Sequence, residues 1–237
     1  MTKFTQTYPT DLKYSEWLLI EQFFLPCPRG RPRKWDMWLM LNAILYVTRT
    51  GCQWRMLPKE FPPWQTVYRY YWCWTRNGLW YVLNTRLVRR VRQQQGRDAE
   101  PSAAILDSQS VKTSEGGEAR GVDVHKQTPG RKRHIVVDTL GLVLLVVAHS
   151  ASVQDAAGGK VVLQRLFEHI KHKVHNRWCR LKVIWADGGY EDLVTFVRQQ
   201  FGWTLDIVRH PKEAKGFTVL PRRYFAMPKF VLRHNRP

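Results

Sequence analysis

The chain is short of acid. Nineteen Asp and Glu stand against 38 Lys and Arg in 237 residues, a formal charge of +19. An imbalance of that size marks a polyanion partner, because each phosphate neutralised releases counterions and the release drives binding. Nucleic acid is the first expectation, and an anionic membrane surface a lesser one. Long apolar runs are missing too: the longest, Leu142 to Ala148, falls far short of the ~20 residues that span a bilayer. The first 25 residues carry Lys3, Asp11, Lys13, Glu16 and Glu21 and no signal-peptide core, so a cytoplasmic protein with no membrane partner is expected. Cys27, Cys52, Cys73 and Cys179 form no C-x-x-C pair, so neither a zinc ribbon nor a disulfide framework is suggested, and they read as buried or incidental thiols. His169, His172 and His175 recur every third residue but have no acidic or Cys partner at ligand spacing, and Lys171 and Lys173 mark a solvated helix end. There is no internal repeat and no low-complexity segment. A 44% hydrophobic and 24% charged composition is that of a globular protein with one large or two small cores.

What is present falls into two halves. Before residue 100, three stretches have helical periodicity: 11–24, closed by Pro26; 35–51, apolar enough for the centre of a bundle, with Gly51 as its C-cap; and 64–78, after Pro62 and Pro63 and ending at Asn77-Gly78. Short Pro-containing connections between them predict an all-α, helix-turn-helix-like module whose last helix enters a DNA groove. On that helix Gln65, Thr66, Arg69 and Arg76 are the candidate DNA contacts, while Val67, Tyr70, Tyr71 and Trp74 read as core. Between the first two helices lies PCPRGRPRK. Arg29, Arg31, Arg33 and Lys34, interleaved with Gly30 and Pro32, form either an extended cationic strip suited to a narrow minor groove, similar to the core of an AT-hook, or a plain basic linker.

The polar stretch 91–103 predicts a boundary near residue 98, with domains at 1–98 and 99–237. Beyond it the periodicity changes. Runs rich in β-branched residues at 103–111, 133–139, 142–150, 181–187 and 204–210 predict strands, the second and third joined as a hairpin, and 155–173 and 191–200 predict helices. That order gives a mixed sheet with helices packed on it, an α/β fold.

Two carboxylates stand out. VIWADGGY (183–190) ends an apolar, β-branched run on Asp187 and two glycines, which by itself is as consistent with a turn as with a site. Asp107 sits in a second apolar run, AAILDSQ, where a lone charge is costly unless paired or coordinated. If the first and fourth strands are neighbours the two acids meet at their ends. Their repulsion then calls for a cation, and Mg²⁺ prefers oxygen ligands. In a chain of this charge such a site points to phosphodiester chemistry.

The blocks GCQWRMLPKEFPPWQTVYRYYWCW (51–74), PSAAILDSQSVKT (101–113), GRKRHIVVDTLGL (130–142), SVQDAAGG (152–159), VIWADGGY and GFTVLPRR (216–223) together resemble the bacterial DDE transposases of the insertion-sequence-five group. The resemblance implies a ribonuclease-H-like mixed sheet with flanking helices, preceded by a helical domain that binds the element's inverted repeats. It implies that Asp107 and Asp187 are the first two acids of a catalytic triad holding Mg²⁺ or Mn²⁺, two ions in all. It also implies hydrolysis at the element ends followed by strand transfer into target DNA, with double-stranded DNA and further copies of the chain as partners. Lys112, Arg131, Lys132 and Arg133 are expected either to contact phosphate beside the site or to form a solvated basic edge.

The chain departs from the family where the third acid is due. After Arg223, Met227 takes the place of the helical Glu, Pro228 breaks the helix, and from residue 216 onward there is no Asp or Glu. The departure resembles a frameshift or truncation. Glu191, Asp206 and Glu213 are the candidate substitutes. The expected function is therefore metal-dependent transposition, with a catalytically impaired, DNA-binding remnant as the alternative.

Overall fold

A computed structural model describes residues 6–25, 32–113, 120–124, 126–171 and 180–209. The candidates Arg29, Arg31 and Glu213, together with Cys27, Cys179, His172, His175 and Met227, lie outside them. The described residues form two compact units, 1–83 and 84–237 in chain limits.

The first unit is helical. The stretch expected as one helix over 11–24 is two short pieces, α1 at Tyr14–Trp17 and a 3-10 turn at Glu21–Phe24. Trp17, Ile20 and Phe24 still fall in one core at the i, i+3, i+7 spacing, although the backbone between the two pieces is not helical. α2 spans Met37–Thr50; Asp36 caps it by accepting from Trp38 N at 2.8 Å, and Gly51 closes it in the left-handed conformation at φ 70°. α3 spans Trp64–Arg76 after Pro63. Val67 is fully buried, and Tyr70, Tyr71 and Trp74 pack against the same core. A fourth helix, α4 at Leu79–Gln94, was not expected; Gly78 ends α3 at φ 69°, and the apolar positions that follow resume helical spacing. The limit between the units falls within α4.

The second unit is built on one sheet. Its strands are β1 (Ala103–Lys112), β2 (Gly121–Asp123), β3 (Thr128–Asp138), β4 (Val143–Ser150), β5 (Val183–Ala186) and β6 (Thr204–Ile207). Their order is β2-β3-β1-β5-β6, with β4 also on β3. β1, β3 and β4 are antiparallel, and β5 and β6 run parallel to β1. This is the ribonuclease-H-like mixed sheet that was expected. β3 starts earlier than its apolar run, at Thr128, because the ladder to β1 continues through the basic residues as far as Lys112↔Gly130. Gly130 is obligatory there: its φ is 151°, and a Cβ would come within 2.1 Å of the Val111 carbonyl oxygen.

α5 (Asp155–Lys171) links β4 to β5, and a 3-10 turn at Gly188–Leu193 leads into α6 (Val194–Phe201). Val162, Leu163 and Leu166 of α5 and Val197 of α6 close the core over Ala104, Leu106, Val136, Ile184 and Ala186 of the sheet. Arg92 at the end of α4 is buried against Asp138 of β3 in a charged pair; Asp138 also accepts from the backbone N–H groups of Leu140 and Leu142, which closes the β3–β4 hairpin.

Candidate active site

The parallel pairing of β1 with β5 runs Ala103↔Val183, Ala104↔Ile184 and Ile105↔Trp185. Asp107 stands on β1 two residues past Ile105, and Asp187 stands just past the end of β5, two residues past Trp185, so both lie beyond the same end of this ladder. Both are half-buried. Asp107 accepts from Ser108 N at 2.8 Å, and Asp187 caps the 3-10 turn by accepting from Gly189 N at 3.0 Å. Asp187 therefore does cap a turn, as Asp-Gly sequences do, and does so at a strand end beside a second carboxylate.

A third carboxylate sits close by. Asp155, the first residue of α5, accepts at Oδ1 from Ser108 Oγ and from Lys132 Nζ, both at 3.0 Å. A Cβ built on Gly189 would meet Asp187 Oδ1 at 3.2 Å and both Cβ and Oδ2 of Asp155 at 3.5 Å, so the two side chains flank this glycine. Tyr190 lies beneath. Its hydroxyl is fully buried and makes no hydrogen bond of ordinary geometry, although Ser108 is near enough to moderate its acidity. Burial raises the Tyr190 pKa, and the charges of Asp155, Asp107 and Asp187 raise it further, so the phenol stays protonated and surrounded by carboxylates.

Lys132 departs from its expected place. Arg131 and Arg133 on either side of it are exposed, but Lys132 points inward, 3% exposed, with Nζ 3.0 Å from Asp155 and 3.1 Å from Asp123. The alternation of a strand explains it: β3 turns residues 132 and 134 to the α5 side and 131 and 133 to the other. Lys132 is thus a buried ion-pair residue and not a surface phosphate contact. Burial alone would lower its pKa, but the bonds to Asp155 and Asp123 outweigh that and raise it. Burial raises the Asp155 pKa, but the bonds from Lys132 and Ser108 prevail and hold it below the usual carboxylate value. Asp123 lies well below its usual value, with Ser110 Oγ donating at 2.5 Å and Lys126 N at 3.2 Å.

The other expected residues are dispersed. Gln65, Arg69 and Arg76 are exposed on α3 and Thr66 is half-buried; the Arg76 guanidinium lies 4.6 Å from the Trp72 ring centroid. Arg33 folds back, donating to the carbonyls of Phe24 at 2.5 Å and Leu25 at 3.0 Å, and Lys34 lies over Trp35. Lys112 is exposed at the end of β1. Of the substitute acids, Glu191 is paired with Arg209 at the surface and Asp206 lies on β6, beyond β5. Among the described residues no three His, Cys, Asp or Glu side chains form a ready-made metal cage. The sequence reading passed over Asp155, Ser108 and Tyr190. The one signal was the Gly-Gly pair after Asp155: Cβ atoms on Gly158 and Gly159 would strike the His134 and Tyr190 rings at 2.1 and 2.6 Å.

Residues 98–233 match a family described as "Transposase DDE domain", and residues 12–84 match one described as "Putative transposase of IS4/5 family". No curated protein matches the chain. A solved structure, "Mos1 transposase paired-end complex with left transposon end", is similar at 11% identity over 86% of this chain and 69% of that one. Its TM-score of 0.31 is too low to bear on the fold.

Proposed function

The chain belongs to the DDE-domain transposases, of the IS4/5 type, and from that premise we propose that it binds the ends of an insertion sequence and cleaves and joins DNA there. The observation that supports this reading most is that Asp107 on β1 and Asp187 just after β5 both lie two residues beyond the last pair, Ile105↔Trp185, of two adjacent parallel strands. Two carboxylates so placed fit a hard divalent cation, and Gly189 leaves space beside Asp187 that a Cβ would fill. Asp107 and Asp187 would hold Mg²⁺ or Mn²⁺, which would supply stabilisation of the charge on the attacking and leaving oxygens.

The reaction asks little covalent chemistry of the protein, since in-line displacement at phosphorus is governed by position and charge. Water attacks phosphorus at the element end, the P–O3′ bond breaks, and the 3′ oxygen leaves as a hydroxyl. That hydroxyl then attacks a phosphorus of target DNA, breaking one P–O3′ bond as it forms another. Residues 1–98 serve as the DNA-binding part, through Gln65, Thr66, Arg69 and Arg76 on α3 and through Arg29, Arg31, Arg33 and Lys34. Residues 99–237 serve as the catalytic part, with Lys112, Arg131 and Arg133 on phosphate. Two ends are brought together by more than one copy of the chain.

A second reading, a DNA-binding remnant impaired in cleavage, draws on the absence of any Asp or Glu from residue 216 onward. One experiment tests both: incubate the full chain with duplex DNA carrying the element's own ends and Mg²⁺, and follow nicking and strand transfer. Cleavage lost in both Asp107→Asn and Asp187→Asn supports the enzyme. Binding without cleavage supports the remnant, and no preference for element ends overturns both.

A further inference from the structure

We propose that the exposed side of α3 is a stacking platform for unpaired bases of DNA, with Tyr68 and Trp72 as its two rings. The inference rests on the DNA-binding part of the proposed function and concerns the state of the DNA that this helix receives.

Tyr68 and Trp72 stand one turn apart on α3 and are 43% and 48% exposed, whereas Trp64, Tyr70, Tyr71 and Trp74 of the same helix are half-buried. Both exposed rings are held. Trp54, in a 3-10 turn at Trp54–Met56, meets Tyr68 edge to face, with centroids 5.3 Å apart and planes at 74°. The Arg76 guanidinium lies over Trp72, 4.6 Å from its centroid. Rings already fixed in orientation lose little further freedom when a base is laid on them, so their apolar faces convert to affinity at low entropic cost.

Charge selects the occupant. Arg69 and Arg76 flank the rings on the same exposed side, and Arg55, also exposed, lies over Trp64 at 5.6 Å. From Phe61 to Arg97 there is no Asp or Glu. A second copy of the chain would bring the same arginines against these and be repelled, whereas a phosphate backbone is drawn in. The rings then decide between paired and unpaired DNA. In a duplex the faces of the bases are covered by the neighbouring pairs, and only edges and phosphates are presented to a helix. An aromatic ring stacks on the face of any base that is open, whatever its identity, and a guanidinium over the ring adds to the same stack. On the proposed reaction, the cut end of a strand supplies such bases once its terminal pairs open.

The test uses the full-length protein in chelator, so that no DNA is cut, and compares a labelled oligo-dT single strand with a duplex of the same length. Trp72→Ala should lower affinity for the single strand about 5- to 150-fold and affinity for the duplex far less. Trp72→Phe, which keeps a ring, should recover most of the loss. Equal losses on the two DNAs, or no loss on the single strand, overturn the inference and leave duplex binding standing; no binding of either DNA by the parent overturns both. Sedimentation of the same variants covers the other occupant: a self-association of the parent that Trp72→Ala abolishes, with single-strand affinity unchanged, assigns the face to a second copy and overturns the inference. A further measurement needs no variant. Single-stranded DNA carrying 5-iodouracil, irradiated on the parent, should crosslink to Tyr68 or Trp72, and crosslinks found only elsewhere overturn the inference.

Discussion

Gly158 has no room for a side chain. A Cβ there would lie 2.1 Å from the His134 ring, in a layer where α5 is pressed onto β3. Gly158→Ala should therefore destabilise the protein by about 1–3 kcal/mol, the usual cost of overpacking, read as a lower urea midpoint. His134 itself gives a pH prediction. It is fully buried with neither ring nitrogen hydrogen-bonded, and burial lowers its pKa to about 4. The folded value lies below the unfolded 6.5, so the unfolded chain takes up a proton that the folded chain refuses. The stabilising contribution is complete above pH 6.5 and is lost as pH falls towards 4, on the order of 3 kcal/mol at most. His149, also lowered by burial, acts in the same direction, losing stability as pH falls below 6.5. Urea midpoints at pH 7 and pH 4.5, in chelator, should fall in the parent and fall less in His134→Gln.

At the scale of elements, α3 presents two faces. Val67 is buried and Tyr70, Tyr71 and Trp74 pack with it, while Gln65, Arg69, Trp72 and Arg76 recur on the exposed side at spacings near one and two turns. If that side meets DNA, Arg69→Ala and Arg76→Ala should each lower the slope of log affinity against log salt by about one unit. An unchanged slope in a filter-binding titration would remove α3 from the interface. Gly130 tests the sheet in the same way: Gly130→Ala drives a Cβ into the Val111 carbonyl and should unpair the ends of β1 and β3. Faster amide exchange at Val111 and Lys112, with Ala104 and Ile105 still protected, is the expected signature.

For the whole molecule, metal and DNA affinity should separate. On the proposed function a charge of +19 would draw DNA through many Lys and Arg, whereas a cation would be held by Asp107 and Asp187 alone. The double variant Asp107→Asn, Asp187→Asn should abolish Mn²⁺ binding and leave affinity for duplex DNA within about twofold, because it removes repulsion from phosphate and no attraction. A loss of DNA affinity as large as the loss of metal would mean that the ion bridges protein and phosphate in the bound state.

The sequence by itself determined the pieces: the basic charge, the helical first unit, the strand runs and the two apolar stretches ending on Asp107 and Asp187. Each is carried by periodicity or by the cost of leaving a charge in an apolar run, and both can be read along the chain. Only the tertiary structure decided which side chains face each other. Parallel pairing of β1 with β5 put the two aspartates beyond the same end of one ladder. The alternation of β3 buried Lys132 while leaving Arg131 and Arg133 exposed, although the three are chemically alike in the sequence. Asp155 looked like a helix start until α5 was laid against Ser108, Lys132 and Tyr190, partners 47, 23 and 35 positions away along the chain. No local pattern encodes contacts at such separations, because they arise from how strands and helices stack and not from the period of any one of them.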